Sequence, residues 1–556
     1  MKKFLCAVMA TMTMLTAASP CLTAAAAETN KNNAQSISQQ VAEMSKDYNG
    51  EYEKEMKKTG SDSIAIDNRL IVKTDKKVIA TDAVGEVYGL GYAFLQLDSS
   101  DDAKNAAAKY EKQGLTVQND TVYRCDGGTG ISNVANNSAD LWAYAQTDAE
   151  STVEYLTKQS TDTVTVGLID TGIDTRYNAQ PFYDRIVRTN VNFGQPESQK
   201  DEADSFGHGT SVASIVAKCT PDNVKIESFR VDCGQGHIYS SSLICAYKYI
   251  LSMDKNKPDI INMSYSAYDN DAKSNKIESD LLSKLHDSGI VLVASAGNKN
   301  TDSKHALPAV HDDVITVAAH DKDGKKCDFS NYGDSVDIAA PGENVTVTKI
   351  TTPAKYEFYA SGTSFAAPFI SAAAAIVLMQ NKELTPDETE AKIKSSALNT
   401  NAPNSEKWAG AGTLNFYNLI EDADASTIDF DRADGTYTGT FSVSLSDKND
   451  NDTIIYTTDG TLPSKNNGTV YSSPIEITGK TKIIAATFSK DGELHSKYTI
   501  GMYNAMTVAD PSDFEVTASG TVTKYNGSAT AIIMPDAVSG VEPNAIGNSA
   551  KVTLPT

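Results

Sequence analysis

Three residues of this chain, Ser364, His208 and Asp170, have the types from which a reactive hydroxyl can be assembled. A serine hydroxyl is a poor nucleophile until a neighbouring base takes its proton and a carboxylate holds that base in the productive tautomer. Ser364 lies in Ser361-Gly362-Thr363-Ser364-Phe365-Ala366-Ala367-Pro368, where a flexible approach meets a small-residue apolar helix. That setting puts the hydroxyl at a helix N-terminus, among free backbone N–H groups and positive end potential. Pro368 is tolerated so near a helix start, where its missing N–H costs little. His208 lies in Gly207-His208-Gly209-Thr210-Ser211 and is the one histidine of seven flanked by glycine on both sides. His237, His286, His305, His311, His320 and His495 read as ordinary surface or core residues. Asp170 ends the strand-like run Val164–Ile169, where a buried carboxylate needs a partner. An imidazole N–H is the partner the chemistry requires. Asp174, four residues on, is the competing acid and is expected to meet solvent or to serve structure.

The order Asp170, His208, Ser364, with the first preceding the second by 38 positions, and the string Gly-Thr-Ser-x-Ala-x-Pro together resemble the subtilisin-like serine peptidases, or subtilases. The resemblance implies that Ser364 attacks a peptide carbonyl, His208 moves the proton and Asp170 orients the imidazole. It further implies that Asn298, ending Val291-Leu292-Val293-Ala294-Ser295-Ala296-Gly297-Asn298, donates to the oxyanion beside the backbone N–H of Ser364. An extended peptide would lie between two backbone segments, Gly234-Gln235-Gly236 near Tyr239 and Asn262-Met263-Ser264-Tyr265-Ser266. Gly234, Gly236, Ser264, Tyr265 and Ser266 are thus expected substrate contacts, with Ala296 and Gly297 on the other wall of the pocket. Tyr265-Ser266-Ala267 departs from the Leu-Gly-Gly-like stretch common in the family. Its larger side chains are expected to narrow the pocket for the residue before the scissile bond. No acid within these strings marks a preference for basic residues.

The elements around these motifs give an α/β fold class. Short β-branched runs at Val164–Ile169, Lys225–Val231, Ile260–Met263, Ile290–Ala294 and Val314–Ala318 alternate with helical stretches. That pattern predicts a subtilisin-like, mostly parallel sheet with helices on both faces over 138–424. Ahead of it, Arg69–Lys73, Tyr92–Leu97, a helix over Ala103–Lys112 capped near Asp98–Asp101, and Leu115–Val117 with Thr121–Tyr123 form a small α+β module. It resembles the inhibitory prodomain of subtilases, so residues 28–137 are expected to be a propeptide with a Gly/Asn-rich linker. After Asp424 the pattern becomes all-β. Tyr456–Pro463 and Tyr471–Ile475 resemble the Ig-like C-terminal module of chitobiases, expected over 425–505, as a spacer rather than a sugar binder. Residues 506–556 resemble one unit of a bacterial surface leucine-rich repeat, too few to stack alone.

The 556 residues carry 49 basic and 72 acidic side chains, a formal charge of −23, which excludes nucleic acid as a partner. Lys2-Lys3, an apolar run from Phe4 to about Ala18 and Ala24–Ala27 read as a signal peptide over 1–27. The protein is therefore expected outside the cell or at its surface, with no transmembrane segment beyond the signal. Phe369–Met379 is too short to span and reads as a buried helix. Cysteine is sparse, with no CxxC pair, so no zinc site is expected. Cys219, Cys233 and Cys245 are open to one disulfide or to three buried thiols. No cofactor is expected for the chemistry, and no ligand string assigns a structural calcium. Polypeptides and the chain's own prodomain are the expected partners, with surface association through the C-terminal modules. A surface adhesion or scaffold protein with a degenerate peptidase domain is the alternative. Its signature would be a lost site residue, and none is lost.

Overall fold

The computed structural model describes residues 34–43, 65–76, 83–125, 132–133, 141–157, 162–175, 182–194, 204, 206–253, 256–269, 275–351, 354–398, 405–420, 428–433, 435–447, 452–459, 461–492, 494–508, 511–517, 521–525, 532–533 and 545–546. The signal peptide expected at 1–27 and nearly all of the linker around 126–138 lie outside this set. The described chain falls into two compact units, Met1–Ile420 and Glu421–Thr556.

In the first unit, seven parallel strands are ordered Ile338–Pro341, Ile315–His320, Val291–Ser295, Ile260–Met263, Val164–Asp170, Val224–Arg230, Ile186–Asn192. The chain starts in Val164–Asp170, fills one side, then returns to fill the other from Ile260–Met263. Strand order therefore reverses between these two neighbours, and a crevice opens there at their carboxyl ends. Asp170 is the last residue of its strand and lies at that crevice.

Alternation along Ile260–Met263 separates the two covering layers. Ile261 and Met263 join the cluster of Leu243, Tyr247 and Leu281, from the helices Ser240–Ser252 and Lys276–Asp287. Asn262 points the other way and accepts at 2.9 Å from Ser371 of the helix Thr363–Gln380. That helix packs against His208–Lys218. It is apolar on nearly every side, and 94% of its residues are buried inside the protein, as an apolar core helix must be.

The small N-terminal module is an antiparallel sheet ordered Ala83–Gly89, Tyr92–Leu97, Ala65–Lys73, Thr116–Arg124, packed on the helix Ser100–Lys112. Ser99 caps that helix by accepting from the N–H of Asp102. Two details differ from the sequence reading. Ala83–Gly89 is an additional strand, and the two closing strands are one, Thr116–Arg124. A single continuous strand is possible because Gln118, Asp120 and Val122 all point into neighbouring elements, although only the last is apolar. Residues 34–43, of weak helical pattern, form a helix whose Ile37 and Val41 join the main core and whose Ser38 hydroxyl donates to the Phe193 carbonyl. The antiparallel pair Val345–Thr351 and Ala354–Ala360, leading into Gly362, was also outside the sequence reading.

Among the described residues, Cys125, Cys219, Cys233, Cys245 and Cys327 are free thiols. In the second unit, a mixed sheet contains Gly435–Thr438, Thr499–Val508, Lys480–Phe488, Thr453–Thr457 and Thr469–Val470. Its core is Val443, Ile477, Ile483, Ala485 and Tyr503. The leucine-rich-repeat likeness of 506–556 falls mostly on residues outside the described set.

Candidate active site

His208 is the first residue of its helix, and the cap before it, Gly207, has φ 83°, a left-handed conformation that favours glycine. Gly209 is needed for a different reason: a Cβ there would sit 2.1 Å from the carbonyl oxygen of Gly172. The two glycines thus let the helix start press against the end of the Asp170 strand. Nδ1 of His208 lies 2.8 Å from Oδ1 of Asp170, and both side chains are buried. The same oxygen also accepts from the Thr171 N–H at 2.7 Å.

A third acid, which the motifs did not mark, ties the two segments together. Asp204 Oδ1 accepts from Thr171 Oγ1 at 2.8 Å and from the Gly207 N–H at 2.7 Å. Its Oδ2 accepts from both the N–H and the hydroxyl of Thr210 at 2.8 Å. Burial pushes the Asp204 carboxyl up, against the pull of these four donors. Thr171 Oγ1 in turn accepts from the Gly209 N–H at 2.9 Å. Asp174 is buried at 1% exposure, and its N–H donates to Thr210 Oγ1 at 2.9 Å. Solvent is therefore not its surrounding, and its backbone belongs to this same brace.

Ser364 is the second residue of Thr363–Gln380, and the Phe365 ring beside it lies 5.4 Å from the His208 imidazole. The helix start adjoins the base through this contact. Its backbone is also bolted to the neighbouring strand: Ser264 Oγ donates to the Ser364 carbonyl at 2.8 Å and accepts from Asn262 Nδ2 at 2.9 Å. Asn298 is oriented by Thr363, whose N–H at 2.8 Å and hydroxyl at 3.0 Å both donate to Asn298 Oδ1. With the carbonyl end so held, the amide end is the one that can donate into the cleft. Gly297, at φ 99°, has no room for a side chain, since a Cβ would meet the Tyr268 hydroxyl at 2.3 Å. Ala296 is buried, and its carbonyl accepts from Asn331 Nδ2 at 2.7 Å.

The expected substrate contacts flank a segment of the chain itself. Val122, Tyr123 and Arg124 pair antiparallel with Tyr239, Ile238 and His237, and that short strand pairs on with Asp232–Gly234. On the other side Arg124 exchanges two backbone bonds with Ser266, at 2.9 and 3.0 Å. The Cys125 N–H donates to the Gly236 carbonyl at 2.9 Å. Gly234, Gly236 and Ser266 therefore belong to a two-sided main-chain frame. Asp232 shapes its first edge by accepting from the N–H groups of Gly234 and Gly236, and burial lifts its carboxyl to about 6. The Tyr265 ring is turned toward Tyr123, edge-on at 5.6 Å, and its hydroxyl lies 2.8 Å from that of Tyr247.

Cys125 Sγ, Asp170 and His208 lie within 4.8 Å of one another, with the thiol 3.8 Å from Asp170 Oδ1. The carboxylate and the imidazole are already bonded to each other, so the group is a hydrogen-bonded cluster and not an open set of metal ligands.

Comparison with known proteins finds the family described as "Subtilase family" over residues 161–414 and the "Chitobiase/beta-hexosaminidase C-terminal domain" over 432–499. Subtilisin DY of Bacillus licheniformis is 30% identical over 247 residues, 42% of this chain and 84% of that protein. Subtilisin-like protease 6 of Arthroderma gypseum is 30% identical over 49% of this chain, which spans 65% of that relative's length. A solved structure of proteases from Pseudoalteromonas arctica aligns over 50% of this chain and 96% of its own, at 23% identity and a TM-score of 0.42.

Proposed function

Because this chain belongs to the subtilase family, we propose that it is a secreted serine endopeptidase made as a self-inhibited zymogen. Ser364 Oγ attacks the carbonyl carbon of a peptide while His208 takes the hydroxyl proton. The imidazolium then protonates the leaving amine, which leaves an acyl-enzyme. Water, deprotonated by the same imidazole, attacks the ester and releases the acid and the serine. Asp170 keeps the proton on Nδ1 of His208 and stabilises the imidazolium that forms. The Asn298 amide and the Ser364 N–H receive the oxyanion.

The observation that carries this reading is the buried 2.8 Å bond between Asp170 and His208, beside the helix start that bears Ser364. Self-inhibition is supported by the strand Thr116–Arg124, which fills the main-chain frame that a substrate would need. Secretion rests on the leader at 1–27. In the same reading residues 28–137 are the propeptide, 138–424 the peptidase domain, and the modules over 425–505 and 506–556 a spacer and a surface attachment. The test is Ser364→Ala in the secreted protein: processing and casein hydrolysis are expected to stop, and a fluorophosphonate probe to lose its target. Hydrolysis that continues unchanged would refute the peptidase assignment.

A further inference from the structure

Most of the main-chain frame around the segment 122–125 is blind to side chains, since it consists of backbone N–H and carbonyl groups. One position differs. The Tyr123 side chain leaves the frame and enters a pocket with a polar floor, where it is itself buried. Its hydroxyl donates to Glu278 Oε2 at 2.6 Å and accepts from Asn275 Nδ2 at 3.2 Å. Asn275 Nδ2 also donates to Glu278 Oε2. The walls are Tyr265, edge-on to the phenol ring, and the apolar Leu282 and Leu307. Glu278 is 4% exposed and Asn275 6%.

The position of Tyr123 relative to the chemistry follows from register. Cys125, two residues on, lies against the Asp170–His208 pair. From this geometry we propose that the bond attacked by Ser364 follows the residue after the one beside the imidazole, which makes Tyr123 the fourth residue before it, and that Glu278 and Asn275 make the pocket a tyrosine-reading subsite, so that the mature enzyme selects peptides carrying tyrosine, rather than phenylalanine or leucine, at that fourth position.

The walls alone would not produce this choice. Apolar walls accept phenylalanine at least as well as tyrosine, because a phenol buried without a partner is penalised. The floor reverses the order. When phenylalanine enters, the carboxyl and the amide stay buried and lose the partner they have in Tyr123. A site built to bond a substrate hydroxyl rejects the analogue that lacks it far better than an apolar site rejects an extra hydroxyl. Burial raises the Glu278 carboxyl to about 8, so near neutral pH the floor is mainly a neutral acid and amide, suited to a neutral phenol.

The proposal rests on the peptidase reading, and the experiment separates the two. The secreted, processed enzyme is offered internally quenched peptides identical except for tyrosine, phenylalanine or leucine at the fourth position before the cleaved bond. Tyrosine is expected to raise kcat/KM about tenfold over phenylalanine. In Glu278→Leu the ratio is expected to fall to about one, while Glu278→Gln, which can still accept, keeps part of it. Phenylalanine or leucine cleaved as fast as tyrosine by the wild-type enzyme would overturn the proposal, and that comparison needs no variant to fold. Failure to cleave any peptide, with no serine labelled by a fluorophosphonate, would strike the peptidase reading and this one with it.

Discussion

Asp170 and Glu278 are both carboxyls buried around one segment of chain, and they are bonded in opposite ways. Asp170 faces an imidazole that can become a cation, and it also accepts a backbone N–H. Glu278 faces a phenol and an amide, groups that stay neutral. A buried acid beside a group that gains charge during a reaction can lower a barrier. A buried acid among neutral donors can only recognise. In the proposed reading the cleft thus divides into an end that performs chemistry and an end that reads a side chain, about two residues of extended chain apart.

Removing each acid gives the largest test of that division. Asp170→Ala is expected to cut kcat by about 10⁴-fold, with KM little changed, a magnitude measured on a subtilisin itself. Glu278→Leu is expected to leave kcat within a few-fold on substrates without tyrosine at the fourth position. Steady-state kinetics on the two variants checks both. Equal losses of kcat on such substrates would mean that the two ends are not separable.

The brace between the strand end and the base gives a smaller effect. Asp204→Ala removes the acceptor of four donors, among them the N–H groups of Gly207 and Thr210. Leaving buried donors without a partner costs about 1–3 kcal/mol for each, partly relieved by relaxation. A loss of about 3 kcal/mol of stability is expected in denaturant unfolding, with kcat down about tenfold through misplacement of His208. An unchanged melting temperature would show that Thr171 and Gly207 hold the two segments without it.

What the sequence made legible follows the same division. Asp170, His208, Ser364 and Asn298 stand in short glycine-flanked strings, because close backbone approach at each is a local requirement that leaves a local mark. The parallel sheet was legible for a similar reason, since strands buried on both faces must be continuous apolar runs. Asp204 left no such mark, and Thr171 and Thr363, although inside these strings, were not marked for roles of their own. Each is an ordinary polar residue whose role depends on a partner fixed only when the sheet has formed. Glu278 stands at i, i+3, i+4 and i+7 spacing with Leu281, Leu282 and Leu285, so the helical pattern itself puts it on the buried face. What the pattern does not give is its partner, Tyr123, 155 residues away. Tyr265 was noticed as a departure, but its partners Tyr123 and Tyr247, distant in sequence, were not.

The smallest expected effect concerns pH and distinguishes a closed reading pocket from an open one. With Tyr123 seated, burial holds the Glu278 proton up to about pH 8, against an ordinary value of 4.5. When the strand Thr116–Arg124 lifts away, water reaches the acid and its pKa falls back. Between these two values the opened state binds fewer protons than the closed one, so raising the pH favours opening. The stabilisation of the closed state by protonated Glu278 is thus complete below about 4.5 and is lost as pH rises through about 8. The groups facing Glu278 are Asp120 and Tyr123 from that strand, Tyr247 from Ser240–Ser252, Asn275, and Tyr265; His311, Asp312 and Asp313 line the cavity beyond. Burial raises all three phenols, so they stay neutral across this window. Amide exchange of Tyr123 and Arg124 in full-length Ser364→Ala, corrected for intrinsic pH dependence, is the measurement, because it needs no catalysis. Protection is expected to fall several-fold between pH 5 and 6 and to flatten in Ser364→Ala/Glu278→Gln. A fall of the same size in both would assign the pH dependence to another group and leave Glu278 as a reader of side chains only.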